Sequence, residues 1–332
     1  MQVMGCHAGG LTCFHYGEFA TALAHMEKAF ALYDPAHRTS YSELLSHDVL
    51  VLLRVRSSWP LACLGHLDQA LFQCDAALDE ARRLSHPPTL AYALGVVGWF
   101  TGSCVRLEPG SLLQYADDVL ALAAEHGLGI YRTIAQIQRG WCLAGLERAD
   151  EGVRLLKAGL AGWDELGLTI WRPWALTRLG EACRMAEQWQ AALEHFAEAR
   201  RLAEATKDRW FQAETLRLTG ELMAGRGDRE GAEASYHQAI AIAQQQSAKL
   251  WELRVATSLA RTWRDRASTP KRMSCWRLSM AGSPRVSVRQ FSKKRRRCSR
   301  RLMDRRLRAS PSLPPRLQGS ESGHLGQSMA GK

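Results

Sequence analysis

The chain has 332 residues, 46% of them apolar, which is enough to bury the core of one large domain or two ordinary ones. Its net charge of +11 is uneven: residues 267–332 hold 17 of the 44 Lys and Arg with 2 acids, which leaves 27 bases and 31 acids in residues 1–266. A net charge of −4 excludes a broadly basic nucleic-acid-binding surface for this larger part. No apolar run approaches the ~20 residues of a membrane span and no secretory signal precedes the first helical pattern, so we expect a soluble, cytoplasmic protein.

The nine cysteines are scattered singly along the chain, and no C-x-x-C pair is present. An odd number of cysteines without a disulfide framework is typical of a reducing compartment. We expect most of them to be small buried residues rather than catalytic residues or metal ligands.

The first predicted elements are two helical hairpins joined by a long connection. Residues 15–23 form a turn that enters a second helix, and residues 64–71 repeat this pattern. The two packing faces share one spacing: Ala22, Met26 and Ala29, then Ala70, Cys74 and Ala77. The step between them is 48 residues because 34–41 form a longer connection. A third hairpin, at 89–126, keeps the apolar periodicity but lacks the small residues of the others.

From residue 138 onward the sequence repeats at a fixed step of 40 residues. The coincident sets are Gly140, Gly180, Gly220 and Ala260; Leu143, Cys183, Met223 and Trp263; Gly152, Ala192 and Ala232; Leu156, Phe196 and Tyr236; and Gly159, Ala199 and Ala239. The spacings within each half are those of one helical stripe. A short polar turn separates the halves, at Glu187 and Gln188 in one unit and at Gly227 and Asp228 in the next. Each unit is therefore predicted to be a helical hairpin.

A single hairpin cannot bury its own apolar face, so such hairpins stack into a solenoid. The small residues let the two helices of a hairpin approach closely, and we expect the large apolar residue to fill the gap to the neighbouring hairpin. The sequence thus predicts an all-α protein, a right-handed α-solenoid of six hairpins and the first helix of a seventh. The repeat domain occupies 1–266 and a basic, low-complexity tail occupies 267–332.

The repeated positions resemble the tetratricopeptide repeat family. The matching residues are Leu179, Gly180, Cys183, Trp189, Ala192, Phe196 and Ala199 in one unit, and Gly220, Met223, Gly227, Ala232, Tyr236 and Ala239 in the next. The period departs from the family, whose usual unit has ~34 residues. The longer units are similar to the repeats at the C-terminal end of large bacterial signalling ATPases, which are often fused to a class III adenylate/guanylate cyclase domain or a kinase domain.

Several segments carry this second resemblance, which covers about residues 5–266. They are 210–214 with 216–222, 248–254 with 256–261, 34–35, and 86–88 with 90–93. The resemblance implies that a parent protein couples these repeats to an ATPase or cyclase, whose catalytic parts are absent from this sequence. We therefore expect the chain to be a fragment of a longer protein.

The periodicity stops in the middle of a hairpin, and the tail that follows is rich in Arg, Ser and Pro, with its densest basic run at 293–297. Three interpretations stay open: a basic arm for nucleic acid or an anionic surface, a disordered tail, or a frameshifted translation. We favour the frameshift, because back-translation with permitted codons gives an amphipathic helix in another reading frame. Two codon junctions fix residues in that frame, a glycine at Met280–Ala281 and a leucine at Cys275–Trp276.

No signature of catalysis, of a cofactor or of a metal ion is found. The chain has no G-x-x-x-x-G-K-[ST] loop, no G-x-G-x-x-G after a strand and no H-E-x-x-H or paired Cys/His ligand set. Glu181 and Glu221 recur at the 40-residue step, but no nucleophile or second carboxylate accompanies them at useful range. We therefore predict a protein that is not an enzyme and needs no cofactor.

Tryptophan is unusually frequent, with 11 residues. Those predicted to lie on helix faces are Trp99, Trp141, Trp174, Trp210, Trp251 and Trp263. Packing between long helices is the common role of such residues. The alternative is that Trp141 or Trp174 lines a groove and stacks on a bound peptide. Pro173 stands directly before Trp174, at a tolerated place in the first turn of a helix.

We predict a protein-interaction or sensing module that binds a peptide or a helix in its concave groove. Because first helices line that groove, the candidate binding residues are Trp141, Trp174, Glu181, Arg217, Glu221 and Arg261. One alternative is binding of nucleic acid or an anionic surface through 293–297, with an affinity that falls steeply with salt. Another is a regulatory subunit of a separately encoded cyclase or ATPase. The frameshift interpretation weakens the nucleic-acid alternative, and no membrane partner is expected.

Overall fold

A computed structural model describes residues 2–101 and 109–265, and the regular secondary structure in these ranges is helical. The helices are α1 (Gln2–Tyr16), α2 (Phe19–Ala31), α3 (Arg38–Leu45), α4 (Val49–Cys63), α5 (Leu67–Leu84), α6 (Pro87–Thr101), α7 (Pro109–His126), α8 (Gly129–Ala144), α9 (Ala149–Glu165), α10 (Arg172–Met185), α11 (Trp189–Thr206), α12 (Gln212–Gly225), α13 (Arg229–Gln245) and α14 (Lys249–Asp265), with a 3-10 turn at Pro35–His37. No helix of these described residues is long and apolar enough to cross a membrane.

The helices pair in chain order into antiparallel hairpins. The pairs are α1 with α2, α4 with α5, α6 with α7, α8 with α9, α10 with α11, and α12 with α13, and α14 follows them. The predicted α-solenoid of six hairpins and the first helix of a seventh is confirmed. The predicted tail at 267–332, with its basic run at 293–297, lies outside the described residues.

Glycines bring the two helices of a hairpin together. A Cβ built on Gly180 would lie 2.7 Å from the ring of Phe196, and one on Gly220 would lie 2.6 Å from the ring of Tyr236. Real Cβ atoms essentially never come so close to another atom, so each ring needs the glycine opposite it. The predicted close approach is confirmed, but the ring lies inside its own hairpin, whereas the repeat pattern predicts it in the gap between neighbouring hairpins.

The third hairpin also contains such a pair, so the prediction that it lacks the small residue is wrong. A Cβ built on Gly98 would lie 2.9 Å from Cβ of Tyr115. The pair is hard to find in the sequence because its members are 17 residues apart, whereas Gly180 and Phe196 are 16 apart. The pair in the third hairpin is therefore one residue out of register with those of the later hairpins.

The turns that separate the paired helices lie where the polar residues predict them. Glu187, between α10 and α11, has a left-handed backbone with φ of 58°, and Gly227, between α12 and α13, has φ of 87°. Asp228 then caps α13, since its side chain accepts a 2.9 Å hydrogen bond from the backbone N–H of Gly231.

A helix, α3, begins inside the connection predicted at 34–41 and extends four residues beyond it, to Leu45. Arg38, its first residue, donates through Nε to Asp48 at 2.6 Å and through Nη2 to Glu80 at 2.7 Å. The connection is therefore tied to the start of α4 and to α5 by charge-assisted hydrogen bonds.

An aromatic cluster lies where hairpins that are distant in the sequence meet. It consists of Phe14, Trp59, Trp99, Phe100, Trp171, Trp174 and Trp210. The ring centre of Phe14 lies 5.2 Å from those of both Trp59 and Trp210. The prediction that Trp210 lies on a helix face is wrong, because this residue lies in the turn before α12.

Polar contacts fix the same meeting point. Asp208 lies in the connection between α11 and α12, and one of its carboxylate oxygens contacts His15 Nδ1 at 2.7 Å. The backbone N–H of Arg209 donates to the carbonyl oxygen of His15, also at 2.7 Å. The end of α1 thus binds a connection 193 residues further along the chain, so the stack of hairpins curves until its beginning meets the sixth hairpin.

Candidate functional site on the first helices

The first helix of each hairpin packs against the first helix of the next, whereas the second helices pack mainly on first helices. We call the side formed by the first helices the inner surface. All six predicted binding residues lie on it, in α8, α10, α12 and α14. Their exposure differs: Trp141, Trp174, Glu181 and Arg217 are buried, Glu221 is half-buried and Arg261 is exposed.

Two of these residues bind each other across neighbouring repeats. Trp141 donates through Nε1 to a carboxylate oxygen of Glu181 at 2.7 Å, and Arg178 donates to the same oxygen at 2.6 Å. The guanidinium of Arg178 also lies 5.0 Å from the ring centre of Trp141 and 4.9 Å from that of Phe211, in cation–π geometry. Since Trp141 and Glu181 are separated by one 40-residue step, equivalent positions of adjacent repeats form the contact.

Glu214 is the centre of a second cluster of charges. Arg217 donates through Nε and Nη2 to its two carboxylate oxygens at 2.8 Å each, and Arg254 reaches one of them at 2.6 Å. Burial on its own raises the pKa of Glu214, but the two guanidinium groups outweigh it and lower the pKa to about 2. Glu214 is therefore ionised at neutral pH although it is completely buried.

Further hydrogen bonds of Arg217 connect Glu214 to Glu221 and Ser258. Arg217 also donates through Nη1 to Glu221 and, at 3.1 Å, to Ser258, whose hydroxyl donates to Glu221 at 2.8 Å. We call the three glutamates and three arginines the salt-bridge ladder: Arg178, Glu181, Glu214, Arg217, Glu221 and Arg254. Their charges balance. Arg261, the last predicted residue, does not join the ladder.

A small cavity lies between α6, α8 and α10. The residues lining it include Trp99, Gln138, Trp141, Trp174 and Arg178. The space at its centre has room for about one water molecule. Two of the predicted residues, Trp141 and Trp174, therefore form part of the cavity wall.

Several polar atoms of the residues that line this cavity are buried without a hydrogen-bond partner among the described residues. They are Nε1 of Trp99, both side-chain polar atoms of Gln138, and Nε and Nη2 of Arg178. Gln138 is only 4% exposed and Arg178 only 1%. A buried donor or acceptor without a partner costs about 1–3 kcal/mol, so a group that binds in the cavity gains free energy by satisfying these atoms. The wall offers N–H donors from three side chains and one acceptor.

Residue-by-residue reasoning misses Gln138, Arg178, Glu214 and Arg254. Gln138 and Arg178 could be found from their positions in the repeat. Each is a polar residue that stands two residues before the repeated glycine, Gly140 or Gly180, on an otherwise apolar helix face. Glu214 and Arg254 are likewise one 40-residue step apart. The two residues of each pair occupy equivalent positions but are of different types, so a search for residues that recur every 40 positions does not find them.

The described residues contain no group of three or more His, Cys, Asp or Glu side chains that could hold a metal ion. Of the six cysteines in the described ranges, four are buried: Cys63, Cys74, Cys142 and Cys183. Burial raises the pKa of the Cys142 thiol to about 12, so this thiol stays protonated at neutral pH.

Comparison with known proteins agrees with this fold of stacked helical hairpins. Residues 171–245 match the family model described as Tetratricopeptide repeat, which confirms the resemblance for α10 to α13. The apo form of RapI is 13% identical, with a TM-score of 0.53 over 89% of this chain and 100% of that chain. A Rap protein complexed with competence and sporulation factor is 12% identical, with a TM-score of 0.50 over 92% of this chain and 96% of that chain. No curated protein matches the chain significantly.

Proposed function

We propose that the chain is a non-catalytic protein-interaction module that binds a peptide segment on its inner surface. The observation that carries this proposal is the cavity between α6, α8 and α10, where Trp99, Gln138 and Arg178 have buried polar atoms without partners in the described structure. The tetratricopeptide match supports an interaction module, and one solved structure of similar fold is a complex with another molecule.

The chemistry of the cavity favours a peptide group as the ligand. The oxygen of a backbone carbonyl or of a side-chain amide is about the size of a water molecule, and it accepts hydrogen bonds from the N–H groups of Trp99 and Arg178. The rings of Trp141 and Trp174 give apolar walls against which such a group packs. Because the cavity has room for about one water molecule, it takes the oxygen of one such group, and the rest of the segment lies along the first helices.

The charges of the inner surface support a binding role rather than a catalytic one. Each acid of the salt-bridge ladder is already bound to an arginine. A carboxylate that is held ionised, like that of Glu214 with its pKa of about 2, is a poor general acid or base at neutral pH. These groups instead fix neighbouring first helices against each other and so keep the cavity wall in place.

The identity of the partner is a finer proposal. The resemblance of residues 5–266 to the repeats of bacterial signalling ATPases supports an ATPase or cyclase domain as the partner, in a parent protein or encoded separately. The odd number of cysteines and the absence of a C-x-x-C pair from the sequence support a cytoplasmic location.

A peptide selection followed by calorimetry tests the binding site. Peptides are selected from a displayed library on the wild-type chain, and their affinities are compared with those for Gln138→Leu. Leucine keeps the bulk of glutamine and removes the buried amide, so we expect an equal or higher stability and a Kd at least about tenfold weaker.

Gln190→Leu is the matched control, because Gln190 is exposed on the second helix α11. This variant should bind the selected peptides with the wild-type Kd. The proposal is wrong if the library yields no peptide that binds better than its scrambled version, or if Gln138→Leu binds as tightly as the control.

A further inference from the structure

A second polar cluster occupies the N-terminal part of the inner surface, formed by α1, α4, α6 and α8. Its centre is Arg56 in α4, which is half-buried. Arg56 donates through Nε to the hydroxyl of Tyr92 at 3.1 Å and through Nη1 to Nε2 of His7 at 3.0 Å. No carboxylate among residues 2–101 and 109–265 forms an ion pair with Arg56, in contrast to the arginines of the salt-bridge ladder.

The groups around Arg56 are electrically neutral. Burial, together with the charge of Arg56, lowers the pKa of His7 to about 3, so His7 is uncharged at neutral pH. Burial also lowers the pKa of His47, with smaller contributions from Arg56 and His86. Burial raises the pKa of the Tyr92 hydroxyl above its usual range, so this group stays protonated. Arg56 therefore keeps a full positive charge that its neighbours do not offset.

His47 and Tyr131, which lie beside Arg56, form hydrogen bonds with other groups and not with Arg56. His47 Nδ1 lies 2.8 Å from the carbonyl oxygen of Leu45 and donates to it, so Nε2 of the neutral ring accepts from the Tyr131 hydroxyl. A guanidinium has five N–H groups, and the described contacts of Arg56 use two. Three N–H groups of Arg56 and the hydroxyl proton of Tyr92 have no acceptor among the residues that the structure describes.

These donors converge from two helices at one partly exposed point. We propose that the cluster of Arg56, Tyr92, His7, His47 and Tyr131 binds an oxyanion group, a carboxylate or a phosphate. The planar fork of arginine binds such groups with two parallel hydrogen bonds, and the Tyr92 hydroxyl provides a third. His7 orients the guanidinium as an acceptor, while His47 and Tyr131 form the neutral wall beside it.

The oxyanion site is separate from the cavity of the proposed function. Tyr131 and Gln138 both lie on α8, but they are about two helical turns apart, roughly 10 Å. We therefore expect a substitution at one site to leave the side chains of the other in place. Failure of the oxyanion proposal and failure of the peptide proposal are therefore distinguishable by Arg56 and Gln138 variants.

Titration of the full chain with small oxyanions tests the proposal. Inorganic phosphate and succinate are added separately at pH 7 and constant ionic strength, with sodium chloride as the blank, and binding is followed by calorimetry and by NMR of the arginine Nε–H groups. We expect saturable binding of at least one of the two, and the probe that binds shows whether the site takes a phosphate or a carboxylate. An equal response to chloride would overturn the proposal.

Arg54→Gln is the matched control for Arg56→Gln. Arg54 lies on the same helix, is also half-buried and has a neutral partner, Gln73, at 3.0 Å, so both variants lose one charge and both keep the basic tail. We expect Arg56→Gln to weaken binding at least tenfold and Arg54→Gln to leave it unchanged. Equal binding by the two variants would refute the site.

Tyr92→Phe provides the second variant, which keeps every charge and removes one hydroxyl. It should weaken oxyanion binding severalfold while circular dichroism shows a folded chain. If Arg56→Gln does not fold, this variant decides: unchanged binding by Tyr92→Phe contradicts the proposal and weaker binding supports it.

Discussion

Replacing Glu214 by glutamine should be among the most damaging conservative substitutions in the chain. The change keeps the size of the side chain and leaves Arg217 and Arg254 facing a neutral amide in a buried site. These arginines lower the pKa of Glu214 from 4.5 to about 2 against the opposing effect of burial. At ~1.4 kcal/mol per pKa unit, the ionised carboxylate stabilises the fold by about 3 kcal/mol, in line with the cost of breaking a buried ion pair.

The direction of the pKa shift of Glu214 determines how this loss of stability depends on pH. Because the folded-state pKa of Glu214 lies below the value of 4.5 for an unperturbed glutamate, the stabilisation is complete above about pH 4.5 and is lost as the pH falls toward 2. Urea unfolding followed by circular dichroism should show a difference between wild type and Glu214→Gln of about 3 kcal/mol at pH 7 that shrinks below pH 4.5.

A matched exposed ion pair supplies the control. Glu198 binds Arg201 one helical turn away, as Glu214 binds Arg217, but its side chain is 43% exposed and that of Arg201 is 67% exposed. Glu198→Gln should cost little, because water screens an exposed pair. A difference below about 1 kcal/mol for Glu214→Gln at pH 7, or one that stays constant from pH 6 to 2.5, would refute the buried-charge argument.

Three further substitutions or modifications test other parts of the fold. Gly220→Ala should destabilise the chain by about 1–3 kcal/mol in urea unfolding, because the new Cβ meets the ring of Tyr236, whereas Gly225→Ala, with open space around it, should be neutral or mildly stabilising. Asp208→Asn should weaken the contact with the end of α1, which hydrogen exchange would detect as faster exchange in α1 and little change in α13. Cys142, whose thiol pKa burial raises to about 12, should resist alkylation in the native chain at pH 8 and react after unfolding, as measured by peptide mass spectrometry.

The repeat architecture is predictable because its main signal is local. A glycine in the first helix and a large residue 16 positions later, as in Gly180 and Phe196, must face each other in a hairpin of this length. That spacing survives wherever the turn has a constant length. It fails for Gly98 and Tyr115, which are 17 residues apart, so the third hairpin keeps the contact but does not show the 16-residue spacing in its sequence.

The meeting of the first and sixth hairpins could not be predicted in the same way. His15 and Asp208 are 193 residues apart, and no period links them. Their contact depends on the curvature accumulated over several hairpins, which a single repeat does not reveal. Trp210 is an example. Its apolar neighbours in the sequence suggest a helix face, but it lies in a turn and packs against Phe14, which is close to the N-terminus.

For the candidate site, the 40-residue step predicts the positions of two residues but not their burial. The 40-residue step correctly places Trp141 and Glu181 at equivalent positions of adjacent first helices, where they bind each other. It does not show that they are buried, because Arg178 neutralises Glu181 and covers the ring of Trp141. Amphipathic patterns alone make a glutamate look exposed, whereas here a partner one turn away makes its burial possible.

The distribution of charge along the inner surface narrows the search for a ligand. Toward the C-terminus the ladder pairs each carboxylate with an arginine, as Glu214 is paired with Arg217, so a charged ligand would have to break existing ion pairs before it gained any contact. Toward the N-terminus Arg56 has only neutral partners, and between these regions Gln138 has buried polar atoms without partners in the described structure.

A ligand gains free energy where it satisfies groups that the fold leaves unsatisfied. Gln138 lies about 10 Å along α8 from Tyr131 of the oxyanion site, so a peptide that places an acidic group at Arg56 and an amide oxygen at Gln138 would meet both demands at once. Joint loss of affinity in the double variant, beyond either single variant, is the measurement that would show one ligand spanning both sites.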